Sequence, residues 1–163
     1  MKNIISLSKK LLAVLLAVSA LCFTSCIEED DSDDELVLTA AALNGVYKSA
    51  FGDSYTITYP IIKYDDGGYN TNGFTGTIVY TDFITNRIIY QITKTDPANT
   101  SMPVGKFCAT RFKDLSSKSC KFSNAYKEGN SIFRNSATEA VNDFTDENGY
   151  FGYFGEYARE PLF

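Results

Sequence analysis

From about residue 45 to residue 126 the chain alternates short apolar–polar runs with tight turn signals, a rhythm that few folds can satisfy. GVYKSAF (45–51) ends at GDS, and YTITYPIIKY (55–64) follows at once. A strand, a Gly-Asp turn and a second strand predict a hairpin. Tyr55, Ile57 and Tyr59 alternate with Thr56 and Thr58, so one face is apolar and the other wet. Pro60 has no amide hydrogen for a ladder, so the strand bends, breaks or lies at an edge there. FTGTIVYTDF (74–83) and RIIYQIT (87–93) flank ITN as a second hairpin. VGKFCATRF (104–112) and KSCKFSNAY (118–126) flank KDLSS as a third. Three consecutive hairpins at regular spacing predict an antiparallel meander.

One helix interrupts the pattern. Ser136 with Glu139 three residues on forms a capping box. Ala137, Ala140, Val141 and Phe144 then fall on one stripe of a helix that Gly149 stops. The stripe is short and its residues small, which suits packing on a sheet. YFGYFGEY (150–157) reads as the last strand, aromatic on both faces and therefore covered on both sides: a barrel interior within, the helix without. The total is seven strands, or eight if Pro60 splits the second. A meander of this size closes, because closure removes its edges. The expected fold is all-β with one short helix: an antiparallel up-and-down barrel of seven or eight strands, the helix packed outside before the last strand. The order resembles lipocalin-like (calycin-like) barrels, with an early GVY (45–47), nested hairpins and one late helix. In lipocalins a Trp stands where this chain has Tyr47.

The N-terminal region predicts where the body resides. Lys2, Lys9 and Lys10 precede the apolar run 11–23, which is shorter than the roughly 20 residues a membrane-spanning helix needs. A basic start, a short apolar middle and small residues at its end form a secretory signal. Phe23-Thr24-Ser25-Cys26 resembles the lipobox of bacterial lipoproteins. The resemblance implies lipidation of Cys26, removal of residues 1–25 as a signal peptide, and acylation of the new amino terminus. Two or more acyl chains anchor stably where one holds only reversibly. The run EEDDSDDE (28–35) buries nothing and repels itself, so residues 26–35 read as lipidated cysteine plus acidic tether, and 36–163 as a single barrel domain. A calcium-binding reading of the acidic run lacks a turn glycine and a fixed ligand spacing.

Composition narrows the chemistry. Three of the 15 basic residues lie in the signal and seven of the 20 acidic ones in the tether, leaving 12 and 13 in the body, a net of −1. Nucleic-acid binding has no electrostatic footprint there. Histidine is absent from the sequence, which removes the commonest general base, the Ser-His-Asp and Cys-His constellations and imidazole metal sites. Asp65 and Asp66 sit in a glycine turn, and Asp143, Asp146 and Glu147 at a helix end; turn and helix-end roles account for both groups. Ser54, Ser116 and Ser117 have no histidine to activate them. No catalytic residue, metal site or cofactor is expected. Cys108 and Cys120 either bridge as a disulfide or stay as two buried thiols. A turn at 114–117 sets Cys120 opposite Arg111, about three residues off Cys108, which disfavours a bridge.

The segments LNGVYKSAFGDSYTI, GKFCATRFKDLSSKSCKFSNAYKEG and ATEAVNDFTDENGYFGYFGEY, together spanning much of 43–157, resemble small lipoproteins of host-associated treponemes. The resemblance implies an exported barrel of the cell envelope, held by palmitate-type acyl groups on the outer (or inner) membrane, and carries over no catalytic residue. The expected function is non-enzymatic binding: a small apolar ligand inside a barrel rich in Tyr and Phe, or a host macromolecule on the loops at 65–73 and 95–103. The alternative is a periplasm-facing inhibitor or chaperone-like lipoprotein acting on another protein.

Overall fold

Eight antiparallel strands close into one barrel in chain order, β1 (Gly45–Ser49), β2 (Ser54–Thr58), β3 (Ile61–Asp65), β4 (Phe74–Asp82), β5 (Arg87–Thr95), β6 (Phe107–Lys113), β7 (Ser119–Asn124) and β8 (Gly155–Glu160), with β8 pairing back onto β1. The structure is a computed structural model and describes residues 40–68, 73–95, 102–160 and 162. These belong to the compact unit Leu38–Phe163. The signal, Cys26 and the acidic tether lie outside the described residues, as do 69–72 and 96–101 of the two rim loops.

The predicted fold is the observed one, and Pro60 decides the strand number. It stands in the turn between β2 and β3, so the second run is two strands and the count is eight. Tyr59, expected on the apolar face, stands in that turn and is exposed.

Strand alternation sorts the side chains. Tyr47, Tyr55, Ile57, Ile62, Phe74, Ile78, Tyr90, Phe112, Phe122 and Tyr157 fill the interior cluster, together with Cys108 and Cys120. Gly76 on β4 makes room for one of them: a Cβ there would lie 2.9 Å from the Tyr90 ring and 3.0 Å from Gln91 O. Leu43, from a 3₁₀ turn (Ala40–Leu43), is buried at one end, where Phe83 and Leu115 also pack on the cluster. The connections β2–β3, β4–β5 and β6–β7 return at this closed end. The other four inter-strand connections lie at the opposite, open end.

The helix α1 (Ala137–Asp143) packs outside, before the last strand, as expected. Ser136 Oγ accepts from Glu139 N, and the Glu139 carboxylate reaches one residue further back than a capping box requires, to Asn135 N. Ala140 and Phe144 are fully buried with Ile89, Ala109, Ala125 and Tyr150 in a second core on the barrel's outer face. The helix ends at Phe144, not Gly149; Gly149, with φ of +77°, closes the turn that follows.

Burial on both faces falls on β5 and the middle of β6 rather than on the last strand. Ile88, Tyr90 and Ile92 point inward while Ile89 lies in the outer core. Residues 150–154 form no strand, and β8 begins only at Gly155. Arg87 and Arg111 stand directly opposite each other on β5 and β6, an arrangement that like charges disfavour. Each has its own relief. Arg87 donates to Val141 O (2.8 Å) and Phe144 O (2.6 Å) at the helix C-terminus, and Arg111 pairs with Asp146.

Candidate functional site

The barrel interior holds rings in sequence around its wall. Tyr47 meets Phe122 (centroids 5.0 Å apart), Phe122 meets Tyr55 (4.7 Å), and Tyr55 meets Tyr64 (4.8 Å). Tyr64 then meets Phe74 (5.8 Å), which stacks on Tyr90 at 5.0 Å and 7°. Offset and edge contacts of this kind add to simple burial. Space remains toward the open end. A cavity of about 290 Å³ is lined chiefly by Tyr64, Phe74, Tyr90, Met102, Cys108 and Asn124. A larger cleft of about 610 Å³ adjoins it and shares Asn124. The cleft touches interior Tyr55, Phe122 and Tyr157 on one side and exposed Tyr126 and Tyr153 on the other.

Two polar acceptors organise this end. Asn124 Oδ1, from the last residue of β7, accepts from Tyr55 Oη and Thr110 Oγ1, both at 2.7 Å. The Tyr90 hydroxyl lies 3.4 Å from Thr110 Oγ1. Asp53, in the β1–β2 turn, accepts from Tyr157 Oη (2.6 Å), Tyr64 Oη (3.4 Å) and Ser49 Oγ. Burial, reinforced by neighbouring tyrosines, raises Tyr55, Tyr90 and Tyr157 well above the usual phenol range. Burial and then the Asp53 charge push Tyr64 up to about 12. All four therefore stay protonated at neutral pH and act as neutral hydrogen-bond donors, not as bases or nucleophiles.

The other singled-out residues are placed apart from this cluster or in structural roles. Cys108 and Cys120 are free, buried thiols, each raised to about 12 by burial. The β6–β7 register pairs Arg111 with Ser123, so Cys120 faces the Asp114 level, six positions from Cys108. That is roughly 20 Å along the strands, beyond any bridge. The expected register differs by three residues because Ser116 Oγ accepts from Lys118 N and Ser119 N and widens the turn. Asp65 Oδ1 and Asp66 Oδ1 accept from Gly67 N and Gly68 N, as turn carboxylates do. Asp143 holds Arg134 Nε at 2.5 Å and Asp146 holds Arg111. Glu147 is exposed and lowered chiefly by a backbone hydrogen bond. Ser54 begins β2, paired with Lys48 and Asp65, while Ser116 shapes its turn; Ser117 lies in the same turn. Among the described residues no three Cys, Asp or Glu side chains group as a metal site.

Asp53 and Asn124 are the functional candidates that the residue patterns did not single out. One signal was available: Asn124 keeps the inward phase of Cys120 and Phe122 at the exposed end of β7, where a polar side chain can face both the interior and solvent. The chain matches no protein-family model, no curated protein and no solved structure.

Proposed function

We propose that the chain is an exported, lipid-anchored binding protein without catalytic chemistry, whose open barrel end takes a small, mainly apolar ligand. The observation that carries this reading is the aromatic cavity of about 290 Å³, which shares Asn124 with the adjoining cleft. Pockets of this kind, apolar with a few convergent polar groups, suit small ligands. The donors at the site are protonated tyrosines, which orient a ligand rather than react with it. The anchor rests on the sequence at Phe23-Thr24-Ser25-Cys26 and on the likeness to treponeme envelope lipoproteins. Acyl groups on Cys26 would hold the body at the outer or inner membrane.

A second reading is favoured by one observation. Phe51, Tyr126 and Tyr153 are 78%, 68% and 79% exposed and all project from open-end connections. Exposed aromatics of this type suit contact with another protein, as an inhibitor, a chaperone-like lipoprotein or a binder of host macromolecules would make.

Two measurements test the proposal. Radiolabelled palmitate supplied to expressing cells labels the wild-type chain and not Cys26→Ala. Native mass spectrometry of the mature chain from residue 26, with Cys26→Ser to block acylation, retains a small molecule from cell extract. No label removes the anchor. A body that stays ligand-free, yet co-purifies stoichiometrically with a protein through its aromatic rim, replaces the first reading by the second.

A further inference from the structure

The barrel wall is incomplete between β7 and β8. Strands β7 and β8 pair from Ser119↔Ala158 up to Phe122↔Gly155, and there the ladder stops. Above it the two segments part. Ser123 and Asn124 continue along β6, while residues 151–154 run outside any strand. They meet again where Tyr126 N donates to Tyr150 O at 2.9 Å. Between the Phe122–Gly155 pair and the Tyr126–Tyr150 bond lies a window in the side of the barrel, and the cleft of about 610 Å³ occupies it.

The rim of this window is built to stay open. Gly149, Gly152 and Gly155 line it and contribute no side chains. At Gly152 a Cβ would meet nothing within 4 Å, and the backbone φ is one that ordinary residues adopt, so neither crowding nor conformation requires glycine there. Inside the window Asn124 is common to the cleft and the inner cavity. Its Oδ1 is occupied by two hydroxyl donors, Tyr55 and Thr110, which turns Nδ2 the other way. Among the described residues no acceptor stands against that Nδ2.

Resting on the binding reading above, we infer that the ligand enters sideways through the β7–β8 window and is a neutral, flat ring system whose acceptor oxygen is taken by Asn124 Nδ2. The lining decides the chemistry. Tyr64, Phe74 and Tyr90 offer ring faces and edges, which suit a planar ring better than a flexible acyl chain. The described lining of the inner cavity holds no charged side chain. Lys127, the cation at the cleft, donates to Asn148 O at 2.8 Å. The Asp53 carboxylate lies behind Tyr157 and Tyr64 at the same end. A carboxylate ligand such as a fatty acid would find no cation in the described lining of the inner cavity, Glu128 beside Lys127 in the cleft and the Asp53 carboxylate at the same end, whereas an uncharged ligand meets no like charge.

The test uses the mature chain from residue 26 with Cys26→Ser and three fluorescent probes. These are 6-propionyl-2-(dimethylamino)naphthalene, neutral and carbonyl-bearing; N-phenyl-1-naphthylamine, neutral without an acceptor oxygen; and cis-parinaric acid, an anionic chain. The carbonyl probe binds tightest and the anion weakest. Asn124→Asp keeps oxygens for Tyr55 and Thr110 but removes the donor. It weakens the carbonyl probe about fivefold while leaving the acceptor-free probe within about twofold. Gly152→Trp slows association of both neutral probes about tenfold with an unchanged melting temperature, and Gly152→Ala leaves it unaltered. Equal loss of both neutral probes in Asn124→Asp, or no loss of either, overturns the anchoring role. An unchanged association rate in Gly152→Trp overturns the window, with binding itself still standing. If no probe binds the wild-type chain, the binding reading falls together with this inference.

Discussion

The Arg159 guanidinium lies over the Tyr47 ring, its central carbon 5.5 Å from the centroid, directly across the β1–β8 seam. From there it donates to Ala42 O (2.7 Å), Asn44 O (2.6 Å) and Ser116 O (2.8 Å), gathering the 3₁₀ turn and the β6–β7 turn onto the closed end. Gly45 makes the space, since a Cβ there would sit 3.0 Å from Arg159 Nε. The Tyr47 hydroxyl completes the knot by donating to Leu43 O at 2.8 Å.

Removing that clasp leaves three carbonyls without their charged donor. Arg159→Ala is expected to lower stability by about 3 kcal/mol. Arg159→Lys recovers only part of it, because one ammonium cannot span the same carbonyls while lying flat on a ring. Urea-unfolding midpoints of the two variants, at unchanged m-value, check this ordering.

Gly76 sets the depth of Tyr90. Gly76→Ala drives a methyl against the Tyr90 ring and Gln91 O, so one must shift. The expected loss is about 2 kcal/mol. It should come with a changed near-ultraviolet circular dichroism signal as the Phe74–Tyr90 stack opens.

Above neutral pH the barrel should weaken in a defined window. Folded Cys108 and Cys120 ionise at about 12 against an ordinary 9.0, and Tyr64 at about 12 against 10.0. The unfolded chain loses these protons first, so the stability they contribute is whole below pH 9 and is lost as pH rises toward 12. The melting temperature should fall through that interval. Absorbance near 295 nm should show Tyr47, Tyr55, Tyr90 and Tyr157 ionising only with unfolding, since burial raises all four. A thiol reagent at pH 8 should modify neither cysteine until denaturant is added.

Arg87 fastens the helix. It is 7% exposed, and its loss in Arg87→Met strands the Val141 and Phe144 carbonyls beneath the outer core. About 2 kcal/mol should go, against about 1 kcal/mol for the cap variant Ser136→Ala. Hydrogen exchange should show α1 loosening in both variants while β1–β4 stay protected.

The barrel was readable from its turns, because GDS, ITN and KDLSS separate runs whose alternation puts Tyr55 and Ile57 inside and Thr56 outside. Two-sided burial was misplaced for a physical reason. Tyr150 and Phe151 are apolar because they cover the outer core as an irregular segment, a use that mimics a buried strand in sequence. The strand they help to cover, β5, carries the consecutive Ile88, Ile89 and Tyr90 that mark it, but the covering elements are far away in the chain. The site was less legible still. Asp53 reads as an ordinary turn residue until folding carries the Tyr157 hydroxyl to it from 104 positions away.

The seam between β1 and β8 also governs when the protein can become itself. Lys48 meets Glu160 across 112 residues, and Tyr47 meets Arg159 beside it. Contacts of such span form late, after the loop-closure entropy of nearly the whole body has been met. A chain emerging amino end first therefore cannot complete the pairing of β1 until β8 is out. Throughout that passage the barrel remains unlocked, and the arrival of β8 turns the key.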